Sequence, residues 1–230
     1  MQSFEKAFGY KIIILAISLG LTVSSSAANL NSTAAAEKSL NNLLELKKQA
    51  ELGDPLDQFF VASEYDRGSS ITEQSDANAL YWYQRAANQD ANNIAYAFNK
   101  ISSKVGVLLS QEKLGLIYSE GKGVRQDYAT AAKWYQKAAE NGLSSSQFTL
   151  GLIYSEGKGV RQDYATAAKW YQKAAEQSNP SAKNNLGLLY EKGQGVRQNK
   201  SEAKELYGQA CDSGIQLSCD NYRKLNEQGY

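Results

Sequence analysis

The side chains in this sequence that could do chemistry are few, and most of them come in copies. Serine and lysine stand three apart at Ser110/Lys113, Ser119/Lys122, Ser155/Lys158 and Ser201/Lys204. That spacing can serve an acylating serine, but such enzymes also carry Ser-Asp-Asn and Lys-Thr-Gly, and neither occurs here. Gly121-Lys122 and Gly157-Lys158 resemble the end of a phosphate loop, yet Gly115 and Gly151 stand one residue too far back and no Ser or Thr follows either lysine. The carboxylates Glu120 and Asp127 return as Glu156 and Asp163 and could hold a metal or move protons. Their places beside a hinge and at a helix start read instead as helix-end chemistry. The chain has no histidine, which removes the commonest general base and the commonest metal ligand. A reaction needs one asymmetric constellation, whereas these groups recur every 36 residues. No catalytic residue, no metal site and no cofactor is expected.

Cys211 and Cys219, the only cysteines, stand eight apart where the last repeat gives way to a final helix. The start of the chain says in which compartment they would act. Lys6 and Lys11 precede the apolar run "IIILAISLGLTV", and the small residues of "SSSAA" follow it. This reads as an export signal cut after Ala27, the run being short of the roughly 20 residues a bilayer needs; a membrane anchor is the other reading. The expected location is periplasmic or secreted. In an exported protein the cysteine pair reads as a structural disulfide, with redox activity and metal binding as the other uses. Removing residues 1–27 leaves 23 of the 25 basic and 23 of the 24 acidic residues, a neutral chain with little of the phosphate attraction that nucleic-acid binding requires.

The elements that hold these groups follow from a repeat. The 27 residues Leu114–Glu140 recur without change as Leu150–Glu176, a variant begins at Leu186, and a looser copy begins at Val61. Tyr128, Ala131, Ala132, Tyr135, Ala138 and Ala139 fall on one face of a helix, which predicts a buried stripe. Asp127 is placed to cap that helix and Gly142 to end it. The preceding helix puts Leu114, Gly115, Ile117 and Tyr118 on one side, and Gly115, with no Cβ, admits the partner helix closely. "EGKGV" turns the chain between the two, with glycines available for positive φ. Asp54-Pro55 and Asn179-Pro180 mark two further first-helix starts. The fold expected is all-α, a right-handed solenoid of stacked antiparallel helix pairs with 36-residue repeats. Its parts are a signal peptide at 1–27, a linker and N-terminal capping helix at 28–53, repeats over 54–214 with an irregular insertion at about 90–106, and a C-terminal capping helix at 215–230.

"LGLIYSEGKGVRQDYATAAKWYQKAAENG" resembles the consensus of the Sel1-like repeats, relatives of the tetratricopeptide repeats, in L-G-x-x-Y, G-x-G-V, A-x-x-W-Y and the closing K-A-A. The resemblance covers residues 50 to 230. It thins where 16 extra residues separate Trp82 from Trp134 and where Leu206 takes the tryptophan position. The resemblance implies adaptor or scaffold roles in complex assembly, often at the bacterial envelope. Cysteine-rich secreted members pin adjacent helices with C-x7-C pairs, and Cys211 and Cys219 are similar. Some members are described as penicillin-binding or β-lactamase-like, and some exported ones neutralise toxic lipases.

One set of residues stands apart from the expected core. Leu152 falls nearly opposite Tyr154 around its helix, Leu116 and Leu188 hold the same phase, and Phe148 lies one turn before Leu152. Stacked in register they form an apolar ladder. It either packs between repeats or makes a strip on the concave face that binds another protein. The functional expectation is a monomeric exported scaffold that is not an enzyme and binds a protein partner through an extended groove. The alternatives are a periplasmic immunity protein against a lipase-type toxin, and a β-lactamase-like or cell-wall hydrolase.

Overall fold

A computed structural model describes residues 27–69, 72–90 and 100–230. The chain falls into two units, Met1–Asn42 and Leu43–Tyr230. The signal segment expected at 1–27 lies, but for Ala27, outside the described residues, as do positions 91–99 of the expected insertion. The described residues form ten helices and no strand: α1 (Ala27–Leu52), α2 (Pro55–Arg67), α3 (Asp76–Ala87), α4 (Lys100–Glu120), α5 (Tyr128–Glu140), α6 (Ser144–Glu156), α7 (Tyr164–Glu176), α8 (Pro180–Lys192), α9 (Lys200–Asp212) and α10 (Gln216–Glu227). Residues of α1 from Leu43 onward belong to the second unit, which also holds the repeats. No helix among the described residues is long and apolar enough to cross a membrane.

Within the second unit α2 pairs with α3, α4 with α5, α6 with α7 and α8 with α9, and each pair packs onto the next to form a helical solenoid. Helix α10 closes against α9. Local chemistry sets these boundaries. Asp127 Oδ1 accepts the backbone N–H groups of Ala129 and Thr130 at 2.9 and 3.1 Å, and Asp163 caps α7 with the same pair of bonds. Each cap satisfies backbone N–H groups that the first helical turn leaves without an intrahelical partner. The cap is strengthened by Thr130 and Thr166, whose hydroxyls donate to the same carboxyls and hold both below the usual carboxylate range. Asp54 and Asn179 cap α2 and α8 ahead of their prolines.

The buried stripe of α5 holds Ala131, Ala132, Tyr135, Ala138 and Ala139. Tyr128 departs from the expectation and is 39% exposed, because the helix begins there and its ring lies outside the helix pair. The close approach at the glycines is strict: a Cβ on Gly115 would stand 2.8 Å from the Tyr135 ring, and one on Gly151 2.5 Å from the Tyr171 ring. At the front, Leu43 and Ala50 are buried and Leu46 packs on the first core cluster. Helix α4 spans 21 residues where the other first helices of the repeats span 13, and its added turns press on the start of α2. There Gly106 leaves no room for a side chain against the Leu56 backbone, and Ser103 donates to Asp54 at 2.9 Å.

Candidate functional site

Three groups of side chains repeat around the first helices, and they decide which positions are structural and which are open to a partner. The first is a buried amide clasp. Gln58, Gln111 and Gln147 donate from Nε2 to the carbonyls of Ala50, Ala87 and Ala139, at the end of the preceding helix, over 2.9, 3.1 and 3.1 Å. Gln89 and Gln177 then donate to the Oε1 of Gln58 and Gln147 at 2.9 and 2.8 Å. In the middle repeat Asn141 holds that place and is one methylene shorter; the Oε1 of Gln111 has no partner. Sequence reasoning passed over these glutamines because it followed the apolar periodicity. Their 36-residue spacing at 111 and 147 was the available signal.

The second group joins adjacent first helices. Ser146 donates to Glu112 at 3.2 Å and Ser218 to Asn184 at 2.8 Å. Where Phe148 replaces the polar residue, Ala182 follows it; where Phe59 does, Ser110 follows, and its hydroxyl is buried without a partner. Phe148 therefore belongs to a row that reads Phe59, Glu112, Phe148, Asn184, apolar and polar in turn.

The third group is the leucine ladder. Leu116 is exposed at 37%. Leu152 is half-buried and packs, with Phe148, on the cluster around Tyr171 and Leu186. The Phe148 and Tyr171 rings stand 6.0 Å apart. Leu188 is half-buried against the cluster of Ala203, Tyr207 and Leu225. In the first repeat the aligned position is Ser63, which bonds the Tyr83 hydroxyl at 3.1 Å. Leu116, Leu152 and Leu188 thus share a phase and differ in burial, with Leu116 the most open.

Several of the candidate reactive groups are engaged in structure. Glu156 pairs with Lys158 at 2.6 Å, and Lys122 is held by Asp66. Burial pushes the Tyr83 and Tyr135 phenols up to about 12. Glu191 replaces the serine of the two preceding repeats. It accepts from the Tyr207 hydroxyl at 2.8 Å and from Lys224 at 3.2 Å. Burial raises its pKa, but the bonds from Tyr207 and Lys224 outweigh this and leave the carboxyl below its usual range. Among the described residues no cluster of His, Cys, Asp and Glu could hold a metal ion. Cys211 and Cys219 form a disulfide with Cα atoms 4.7 Å apart, tying the end of α9 to the first turn of α10.

This geometry has relatives. The Sel1 repeat family model matches residues 55–90, 108–143, 144–179 and 180–215. The chain belongs to the Sel1 repeat family. Sel1 repeats in general are protein-interaction scaffolds rather than enzymes. Residues 91–107 fall between the first two matched repeats, where α4 gains its added turns. Among solved Sel1 structures, c5321, a protective antigen present in uropathogenic Escherichia coli strains displaying an SLR fold, is 34% identical with a TM-score of 0.70 over 81% of this chain and 36% of its own. A Sel1 repeat protein from Oxalobacter formigenes is 31% identical with a TM-score of 0.66, over 80% of this chain and 48% of its own. The chain thus spans between a third and a half of the length of these two relatives. The immunity protein Pa5087 from Pseudomonas aeruginosa is similar at 18% identity and a TM-score of 0.37, over 78% of this chain and 74% of its own, and that likeness carries nothing about function. A comparison with curated protein sequences finds no match.

Proposed function

We propose that this chain is an exported, monomeric, non-enzymatic scaffold of the periplasm or extracellular space that binds another protein non-covalently along its first helices. The observation that carries the reading is the ladder: Leu116 stands exposed, and Leu152, Leu188 and Phe148 are half-buried in helices whose opposite faces are fully packed. Half-buried apolar side chains on a rigid array offer surface to a partner at little ordering cost. The Cys211–Cys219 disulfide supports the location, since such bonds persist outside the cytosol. The partner takes an extended path over several repeats, so its affinity is spread over many contacts.

A pull-down from envelope extract with the intact chain and with Leu116→Asp tests this. Leu116 is the most open of the set, so the substitution leaves the fold intact by circular dichroism. A stoichiometric partner captured by the parent and lost with Leu116→Asp is the expected result. Equal capture by both chains overturns the ladder as the contact surface, and a lipase-type toxin as the captured protein replaces the adaptor role with immunity.

A further inference from the structure

The same loop, from the end of a first helix to the cap of the second, appears three times, and its last appearance differs in charge. Residues 120–128 and 156–164 are each neutral: one Glu, one Lys, one Arg and one Asp. Residues 192–200 carry no acid and three bases, because Lys192 stands where Glu156 stood, Gln194 where Lys158 stood, Asn199 where Asp163 stood and Lys200 where Tyr164 stood. The two carboxylates that flank this loop in the sequence do not cancel the change. Glu191 is already held by Tyr207 and Lys224, and Glu202 lies beyond the cap in the first turn of α9.

A surface depression of about 570 Å³ opens at this loop, lined by Tyr190, Val196, Arg197, Gln198 and Asn199. Two of its other polar side chains are committed. Gln198 donates to the Glu191 carbonyl at 2.8 Å, and Asn199 accepts from the Glu202 N–H at 3.1 Å. Lys200 donates to the Tyr230 hydroxyl at 3.2 Å, lies 4.5 Å above that ring and makes no ion pair among the described residues. Arg197 is exposed and makes no hydrogen bond or ion pair among the described residues. A guanidinium in no ion pair, lining the same depression as Tyr190 and Val196, is suited to a bidentate carboxylate flanked by an apolar group.

We propose that this depression is a carboxylate-binding subsite, in which Arg197 takes an acidic side chain of the protein partner while Lys192 and Lys200 supply the surrounding positive field. The proposal rests on the reading of the chain as a protein-binding solenoid and gives the partner a chemical character: an acidic segment meets the last repeat, beyond the apolar contacts of the ladder.

A fluorescein-labelled hexaglutamate peptide is the probe, with hexalysine as its control and fluorescence anisotropy at low salt as the readout. The informative variant restores the previous repeat's loop, Lys192→Glu/Gln194→Lys/Asn199→Asp/Lys200→Tyr, a sequence this scaffold already folds around. Binding of hexaglutamate by the parent, a loss of about tenfold or more in that variant and in Arg197→Gln, and no change in Arg161→Gln are expected. Equal binding by the restored-loop variant, an equal loss in Arg161→Gln, or complete displacement by equimolar inorganic phosphate overturns the proposal. If the captured partner is lost with Leu116→Asp yet bound undiminished by the restored-loop variant, the scaffold reading stands and this subsite falls. If hexaglutamate binds as expected and no protein is captured, the subsite stands and the scaffold reading falls.

Discussion

The substitution Asn141→Gln is expected to stabilise the protein, and the structure fixes by how much and through which atom. In the first and third repeats the clasp is complete: Gln58 and Gln147 each donate to a helix-end carbonyl, and Gln89 and Gln177 donate to their Oε1 atoms. In the second repeat the Oε1 of Gln111 is buried without a donor, because Asn141 stands in the Gln177 position. A buried unmet acceptor costs about 1–3 kcal/mol, and fixing the longer glutamine side chain returns up to about 1.5–2 kcal/mol of that as lost rotamer freedom. Gln89 and Gln177 each make a second bond, to the carbonyls of Gly53 and Gly142. The corresponding residue of the second repeat, Gly106, lies inside α4, so one buried bond to Gln111 is gained in exchange for the exposed one that Asn141 donates to the Lys137 carbonyl at 2.9 Å. The net expectation is about 1 kcal/mol, seen as a rise in the urea midpoint at unchanged m-value and a rise of about 2–4 °C in Tm. The decisive control is the same change in a Gln111→Leu background, where the gain disappears. An equal gain there shows that helix-end propensity is responsible and refutes the clasp.

Three further outcomes follow from features already described. Gly151→Ala drives a methyl group into the Tyr171 ring, 2.5 Å from its nearest carbons, and lowers stability by about 1–3 kcal/mol in urea titration. The buried phenols Tyr83 and Tyr135 have folded pKa values near 12 against 10 for the free group; stability is fully present below pH 10 and falls as pH rises from about 10 to 12, which circular dichroism across that range reads directly. Cys219→Ser opens the short loop between α9 and α10 and lowers stability by about 2–3 kcal/mol on the chain-entropy account; reductant then has no further effect on the variant's urea midpoint.

The helix pairs, their caps and their glycine contacts were legible in the sequence because each is decided within one 36-residue unit. Asp127 caps the helix it precedes, and Gly115 and Gly151 meet the tyrosines of their own second helix. Contacts between units were far less legible. The burial of Leu152 depends on the repeat that follows it, and its helical phase alone left packing between repeats and an open strip as alternatives. The ends of α5 also misled, since Tyr128 continues the apolar stripe by spacing but falls at the first helical residue, outside the pair. The glutamine clasp was invisible to hydropathy because glutamine scores as polar wherever it lies. The gain of positive charge at 192–200 was present in the letters and gained meaning only when a depression appeared beside it.

The second glycine of each hinge lies on the preceding unit. A side chain on Gly159 would strike the backbone of Tyr128 and Ala129, and one on Gly195 that of Tyr164 and Ala165. The buried glutamines also reach backward, to carbonyls of the helix before. Each unit is therefore finished by its successor. During synthesis or passage through a membrane, the chain emerges from its N-terminal side, and folding trails emergence by one unit. Every newly delivered helix pair stays provisional until the next hinge closes over it.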